Sequence, residues 1–458
     1  MGKTLILLLC AASCALDGAA PAVFAIRDAR IVTVSGPVLE RGTVLIRDGL
    51  IQEVGASVAV PPDAWVIEGK GLTVYPGLID ALSTLGIAEA AATTTITTRG
   101  GGRTPALPSI PSTPAMPSET PGPPGLPSII TTTGPPAQGP EDRPSNTSWV
   151  RAADLISPTD RRLESARSAG FTTAVTFPPR GIFAGQGAVI NLAGEKAGQM
   201  VIASPAGLYL TVSSGGFSSF PSSLFGVMAY IRQVFLDSEH YVLAKQAYQN
   251  QPAGTRRPAY DRALEGVLDA PRLLIPAVRA VELDRMVRFA AELKRKAVLY
   301  GGHEAYRVTD LLKKSGTPLL VSLRWPERSR DADPEDQEPL RMLELRERAP
   351  STPGALVKAG VPFAFYTEGV STSRELQRAI KRALDAGLSS ADALRAFTLS
   401  PAEIYGVADR LGSVDKGKIA NLVVTSGELF QEKTQVRYVF IDGLKYEPLP
   451  ETPEEVTR

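Results

Sequence analysis

Tyr75-Pro76-Gly77-Leu78-Ile79-Asp80-Ala81-Leu82-Ser83-Thr84-Leu85-Gly86 is the stretch on which the reading of this chain turns. A proline and a glycine open it, and an apolar run carrying one carboxylate follows, as in a strand that enters a core. Alternate residues of a strand point the same way, so Leu82 and Thr84 share a face. Leucine offers no lone pair, and a threonine hydroxyl is a poor metal ligand beside imidazole, thiolate or carboxylate. Counting leads to the same place. The 458 residues hold two histidines, His240 and His303, and two cysteines, Cys10 and Cys14, near the start of the chain. A histidine-rich metal site is excluded.

On the N-terminal side the chain reads as short strands: Phe24 to Val34, then Gly42 to Ile46, an Asp48-Gly49 turn, and Leu50 to Val54. Asp-Gly between alternating runs is a hairpin signal because both turn residues need positive φ. The C-terminus repeats it, with Val436 to Ile441, Asp442-Gly443, and Leu444 to Tyr446. Two β-rich ends around a long middle predict one composite β-sandwich over 26–75 and 407–448.

On the C-terminal side the composition changes abruptly. Thirteen of the 38 prolines fall between Pro105 and Pro144, mixed with Gly, Ser and Thr. Such a stretch buries too little apolar surface to offset its ordering entropy, so 94–148 is expected to be a disordered insertion. Beyond it, helical and strand patterns alternate: Arg161 to Ala169 then Phe171 to Phe177; Glu282 to Lys294 then Ala297 to Tyr300; Glu304 to Lys314 then Thr317 to Ser322; Ser351 to Ala359 then Val361 to Tyr366; and helices over Ser373 to Ala386 and Ser390 to Thr398. Repeated units of this kind imply a parallel sheet, and the length favours a closed (β/α)8 barrel over 76–406.

Composition is that of a globular protein, 43% hydrophobic and 21% charged. A net charge of +1 gives no field that would draw in nucleic acid. Lys3, the apolar run Leu5 to Leu9 and the small residues up to Ala25 read as a signal peptide over 1–25, too short to span a bilayer, with cleavage after Ala22 or Ala25. Ala11-Ala12-Ser13-Cys14 is a weak lipobox that would place a lipid on Cys14. Export to the periplasm or outside the cell is expected, in a mature chain without disulfides. The last ten residues, 449–458, read as a tail.

The opening hairpin with Pro76-Gly77-Leu78-Ile79-Asp80, and the closing run Pro401-Ala402, Leu411-Gly412-Ser413-Val414, Lys416-Gly417-Lys418 and Ala420-Asn421-Leu422-Val423-Val424, resemble the amidohydrolase superfamily. The likeness is to its imidazolonepropionase-like group, to which Gly185-Gln186-Gly187 and Gly301-Gly302-His303-Glu304-Ala305-Tyr306 are also similar. The resemblance implies a barrel with a small urease-like composite domain, hydrolysis of carbon–nitrogen bonds other than peptide bonds, and zinc. Here the two histidines that would end the first strand are Leu82 and Thr84. The fifth-strand histidine is replaced by Pro276, with Val278 two residues on. The eighth-strand Thr-Asp pair is Thr367-Glu368, one methylene longer, and Ile419 and Asn421 depart from the family's usual Gly-Lys-Asp-Ala-Asp.

These substitutions predict no zinc cofactor and a small-molecule-binding protein, weakly active or inactive by the family's metal mechanism. Its site would draw on Glu368 and His303, with Asp80, Gln186, Glu304 and Thr367 in binding roles. One alternative is a metal-poor hydrolase with Glu368 as general base and His303 as acid or orienting group. Another is an envelope protein working through the Pro-rich arm. A homodimer, or pairing with an active relative, is the family-level expectation for partners. His240 is expected on a helix surface.

Overall fold

Residues 23–87, 143–213, 220–328, 333, 335, 337–369 and 372–448 are described by a computed structural model. The leader up to Ala22, the arm over 94–142 and the tail at 449–458 lie outside the described residues.

The N-terminal strands are β1 (Val23–Ile31), β2 (Leu39–Arg47), β3 (Leu50–Gly55), β4 (Trp65–Glu68) and β5 (Thr73–Pro76). Asp48 and Gly49 turn β2 into β3 with φ of 51° and 80°, the left-handed pair that matches strand twist. At Asp28, where φ is 58°, β1 bends. Its first half pairs with β4 and its second with β5, so one strand serves both halves of the sheet. Val23, Phe24 and Ala25 are buried members of β1. The first described strand thus includes three residues that precede 26, where the composite domain was expected to start.

From β5 the chain crosses Gly77 into β6 (Leu78–Ser83). A Cβ on Gly77 would lie 2.1 Å from the Thr172 hydroxyl, so only glycine allows this crossing. The staves that follow are β7 (Phe171–Thr176), β8 (Phe183–Gln186), β9 (Ala188–Asn191), β10 (Val201–Ala203), β11 (Leu208–Leu210), β12 (Leu273–Ala277), β13 (Ala297–Gly301), β14 (Leu319–Ser322) and β15 (Phe363–Tyr366). They form two sheets, β10-β9-β7-β6 and β15-β14-β13-β12-β11-β8. The sheets enclose one interior. Ile79, Val175, Val189, Leu274, Val298, Leu320 and Ala364, one from each of seven staves, share a single apolar cluster against which Tyr209 of β11 packs, as in the layered filling of a (β/α)8 barrel.

The expected all-parallel barrel holds except at one stave. β8 and β9 are one strand bent at Gly187, and it runs antiparallel to both β7 and β11. One helical expectation also differs. The helix expected over Glu304 to Lys314 is a short turn at Ala305–Arg307 followed by Thr309–Ser315, and a 27-residue helix, Leu224–Asn250, packs outside the barrel. His240 is exposed on that helix, as expected.

The insertion ends earlier than its composition suggests. Arg143 is held between Asp237 (2.6 Å) and Asp261 (2.9 Å). Thr147 donates to the carbonyls of Phe183 and Ala184, and Ser148 to that of Ala263. Asn146 and Ser148 are buried, so 143–148 belongs to the folded barrel.

After the barrel, β16 (Leu422–Thr425), β17 (Val436–Ile441) and β18 (Leu444–Tyr446) return to the first sheet. Asp442 and Gly443, at φ 52° and 77°, make the second hairpin. β16 pairs with β5, giving the order β18-β17-β16-β5-β1-β2-β3 with β4 beside β1. Both termini thus build one sheet, bent over the apolar cluster that contains Phe24, Ile46, Val74 and Phe440. Asn421 joins it to the barrel: its amide donates to Asn191 (2.7 Å) and Thr173 (3.0 Å), and its carbonyl accepts from Asp442 N–H (2.9 Å).

Candidate binding site at the barrel mouth

The end of β6 is where the first two metal-binding side chains would stand. A register shift against β7 between Asp80 and Ser83 places both Ala81 and Leu82 in the barrel's apolar interior. Leu82 is 7% exposed. Thr84 is held at the rim by Arg162, which donates to its hydroxyl (3.0 Å) and its carbonyl (2.9 Å) and also reaches the Ile87 carbonyl (2.7 Å). Pro276 lies in β12, two residues beyond the inward-facing Leu274. A closed zinc site needs three or four N, S or O donors about 2.0–2.3 Å from one point. A leucine packed in the core, a threonine pinned by a guanidinium and a proline do not fit zinc, and among the described residues no three His, Cys, Asp or Glu groups converge.

The surviving polar groups gather around Ser322 at the end of β14. Its hydroxyl donates to the Glu368 carboxylate and accepts from Arg324 N–H (3.0 Å), and its carbonyl lies 3.3 Å from His303 Nε2. His303 is buried against the Trp325 indole, with ring centres 5.7 Å apart. Burial lowers its pKa, partly offset by the bond to Ser322 and by Glu368, so the ring is neutral at pH 7. Glu368 is exposed and holds φ at 49°, a left-handed conformation that costs a side-chain-bearing residue roughly 1–2 kcal/mol.

Aromatic rings fill the space beside this cluster. Phe177, Tyr209 and Tyr300 follow one another at 5.5 and 5.3 Å, and Tyr366 stands at 87° to Tyr300 with centres 6.5 Å apart. Burial raises the pKa of all three tyrosines, and Glu368 raises each further; they are neutral phenols. Tyr300 donates to the Leu210 carbonyl (3.0 Å). From below, Tyr405 donates to the Ala81 carbonyl (2.7 Å).

The structure brings His303, Thr367 and Glu368 to this mouth, with Asp80 bonded to Thr367. It places the other two candidates elsewhere. Glu304 accepts from Ala280 N–H (2.9 Å), capping the helix Ala280–Glu292, and pairs with Arg341 (3.5 Å). The charge compensates the start of a neighbouring helix rather than its own. Gln186 donates to the carbonyls of Gly266 (2.5 Å) and Ser148 (3.3 Å), which ties the ordered end of the insertion to the barrel wall. Ser322, Tyr209, Tyr300, Tyr366 and Trp325 were not singled out from sequence. Inward parity along β13, β14 and β15 was the signal that selects Tyr300, Ser322 and Tyr366. Two cavities, of about 470 and 590 Å³, lie away from the mouth, beneath β14 and β15 and along the 27-residue helix.

Comparison with known proteins follows the same lines. Residues 284–445 match the family model described as the amidohydrolase family. Among solved structures the chain is similar to an amidohydrolase from Thermotoga maritima MSB8, with a TM-score of 0.71 and 25% identity over 93% of this chain and 100% of that one. A molinate hydrolase (15% identity, 95% and 99% coverage, TM-score 0.50) and a Xaa-Pro dipeptidase with methionine in its active site (14%, 93% and 100%, 0.50) share the fold. No curated protein matches the chain.

Proposed function

Because the chain belongs to the amidohydrolase superfamily, we propose that it is a small-molecule-binding member of that carbon–nitrogen hydrolase lineage whose barrel mouth has lost the metal chemistry. The observation that carries this reading is at β6: Leu82 is packed into the interior and Thr84 is held by Arg162. Zinc lowers the pKa of bound water from about 15.7 to about 7, so its loss removes roughly nine orders of magnitude of hydroxide at neutral pH. A positioned general base returns only about 10²–10⁴. The expected ligand is small and nitrogen-containing, the class the superfamily acts on.

A second reading, hydrolysis without metal, is favoured by the placement of Glu368 and His303 on either side of Ser322. Glu368 would act as general base and His303 as acid or orienting group.

The deciding experiment is elemental mass spectrometry of the full chain after zinc, manganese and calcium challenge, for wild type and Glu368→Ala, with turnover assays on amides, lactams and dipeptides. No bound metal and no turnover is the expected result. Stoichiometric metal lost in the variant would sink the proposal. Metal-free turnover abolished by Glu368→Gln would establish the second reading instead.

A further inference from the structure

The helix Leu224–Asn250 carries apolar residues on both of its faces. Val227, Ile231, Val234 and Tyr241 are buried on the side that joins the barrel core. At about 100° per residue, Phe225, Ala229, Leu236, Leu243 and Ala247 fall within about 40° of one another on the opposite side. All five are exposed, Phe225 at 90%, Leu236 at 58% and Leu243 at 62%. Apolar residues scattered singly over a surface need no explanation, whereas a contiguous stripe marks an interaction surface. A helix that is apolar all round is packed on both sides. This stripe is also palindromic: Ala229 and Leu243 each stand seven residues from Leu236, and Phe225 and Ala247 each stand eleven.

Laid antiparallel against a second copy about a twofold axis at Leu236, the helix meets itself with large residues opposite small ones. Phe225 stands opposite Ala247, Ala229 opposite Leu243, and Leu236 opposite Leu236. Such an axis keeps each flank of the stripe on its own side, and charge follows size. Arg232 and Glu239 lie on one flank, four residues before the centre and three after it, so the Arg232 of each copy falls beside the Glu239 of the other. Arg232 gives Nε and Nη2 to Glu292 (2.6 and 3.0 Å), which leaves Nη1 for a second acceptor. Glu239 is exposed, with no ion pair among the described residues. Along the other flank runs the cavity of about 590 Å³, walled by Gly226, Ala229 and Gln233, so Leu243 of the second copy has room to enter beside Ala229. A membrane surface asks for Lys and Arg along such a stripe, whereas these flanks carry Arg232, Glu239, Gln233 and His240. We propose that two copies of this chain pair through the helix Leu224–Asn250, antiparallel about a twofold axis at Leu236, which gives the expected homodimer its interface.

Sedimentation equilibrium of the full chain, at protein concentrations up to about 100 μM, tests this. The expected species has twice the 48.6 kDa mass of the chain. Leu236→Glu, at an exposed position, brings two carboxylates together at the axis and should raise the dimer dissociation constant at least about a hundredfold. Circular dichroism confirms that the variant is folded. Cross-linking with a short bismaleimide, in a background of Cys10→Ser and Cys14→Ser, reads the register. Leu236→Cys should link two copies, Leu243→Cys alone should not, and Leu243→Cys combined with Ala229→Cys should. A monomer at every concentration, a dimer that Leu236→Glu leaves intact, or linkage of Leu243→Cys alone would overturn the proposal. A chain that stays monomeric and co-sediments with phosphatidylglycerol vesicles, while Leu236→Glu does not, would overturn it in favour of a membrane surface. None of these outcomes depends on what the barrel mouth binds.

Discussion

The carboxylate of Asp80 accepts both the backbone N–H (3.0 Å) and the hydroxyl (2.6 Å) of Thr367, a residue 287 positions later in the chain. It is the polar stitch between the first stave of the barrel and the last. Helix Ser390–Phe397 packs across the same seam, against both β6 and β15. Asp80 is fully buried, and burial pushes its carboxyl up to about 6 against the pull of Thr367 and of Leu82 N–H.

That shift fixes the sign of a pH effect. The folded-state value lies above the ordinary 3.8, so the folded protein holds its proton longer than the unfolded chain does. The resulting stability is fully present below pH 3.8 and is lost as pH rises through about 6. Asp80→Asn removes this dependence. The wild type should therefore lose stability relative to the variant between pH 4 and 7.5, by up to roughly 3 kcal/mol. Urea unfolding of both proteins across that range measures the difference. A flat difference, or one of opposite slope, would show that Asp80 stays ionised in the fold.

Restoring the family's side chains at β6 should not restore a metal site. Leu82→His removes packing from the barrel interior and puts a polar ring there, at a cost of about 2–4 kcal/mol. Thr84→His displaces the hydroxyl that Arg162 holds. With Pro276 unchanged, the double variant still lacks the fifth-strand donor, and the one imidazole already at the mouth, His303, is turned to the Ser322 carbonyl. It is expected to melt at lower temperature and to bind zinc below one equivalent; stoichiometric zinc would mean that the mouth had only two positions to recover.

The ends of the fold were legible because their signals are local. Asp48-Gly49 and Asp442-Gly443 demand positive φ whatever surrounds them. The strands after the insertion were legible for a similar reason, since β-branched runs alternate there with helical ones. The reversed stave was not, because nothing in Phe183 to Asn191 says in which direction its neighbours run. The helix Leu224–Asn250 was obscured by exposed Phe225, Leu236 and Leu243, which blur its apolar stripe. At the site, absence was easier to read than presence. Leu82, Thr84 and Pro276 announce missing donors by residue type alone, whereas the cluster at Ser322 and the capping role of Glu304 depend on which side chains the barrel turns towards one another.

The Gly185-Gln186-Gly187 motif is read here as architecture, and that can be checked. Gly185 holds φ at 132°, and a Cβ on it would lie 2.6 Å from the Val150 carbonyl. A Cβ on Gly187 would lie 2.2 Å from the Phe177 ring. Gly187→Ala must push Phe177 out of the mouth and is expected to destabilise by about 1–3 kcal/mol. Phe177→Leu in the same chain should relieve part of that loss in a double-mutant cycle. Additive effects would mean that the glycine is needed for its backbone rather than for the ring.

Burial along β1 sets a limit on where a leader could be removed. Phe24, Ala25 and Ile26 pair with Ile46, Leu45 and Val44 of β2, and Val23 pairs with Arg47. The first three residues of the strand are buried. Cleavage after Ala25 would delete all of them, exposing the Leu45 and Val58 side of the small cluster they fill and removing about 1.5–3 kcal/mol for each large apolar side chain lost. Cleavage after Ala22, or at Cys14 with a lipid attached, leaves the strand whole. If the chain is exported, as the reading of residues 1–25 as a signal peptide expects, N-terminal sequencing and intact mass of the mature protein should place its first residue at or before Val23. A mature protein that begins at Ile26 and still melts as the full chain does would show that the strand's first turn of pairing contributes nothing to the fold.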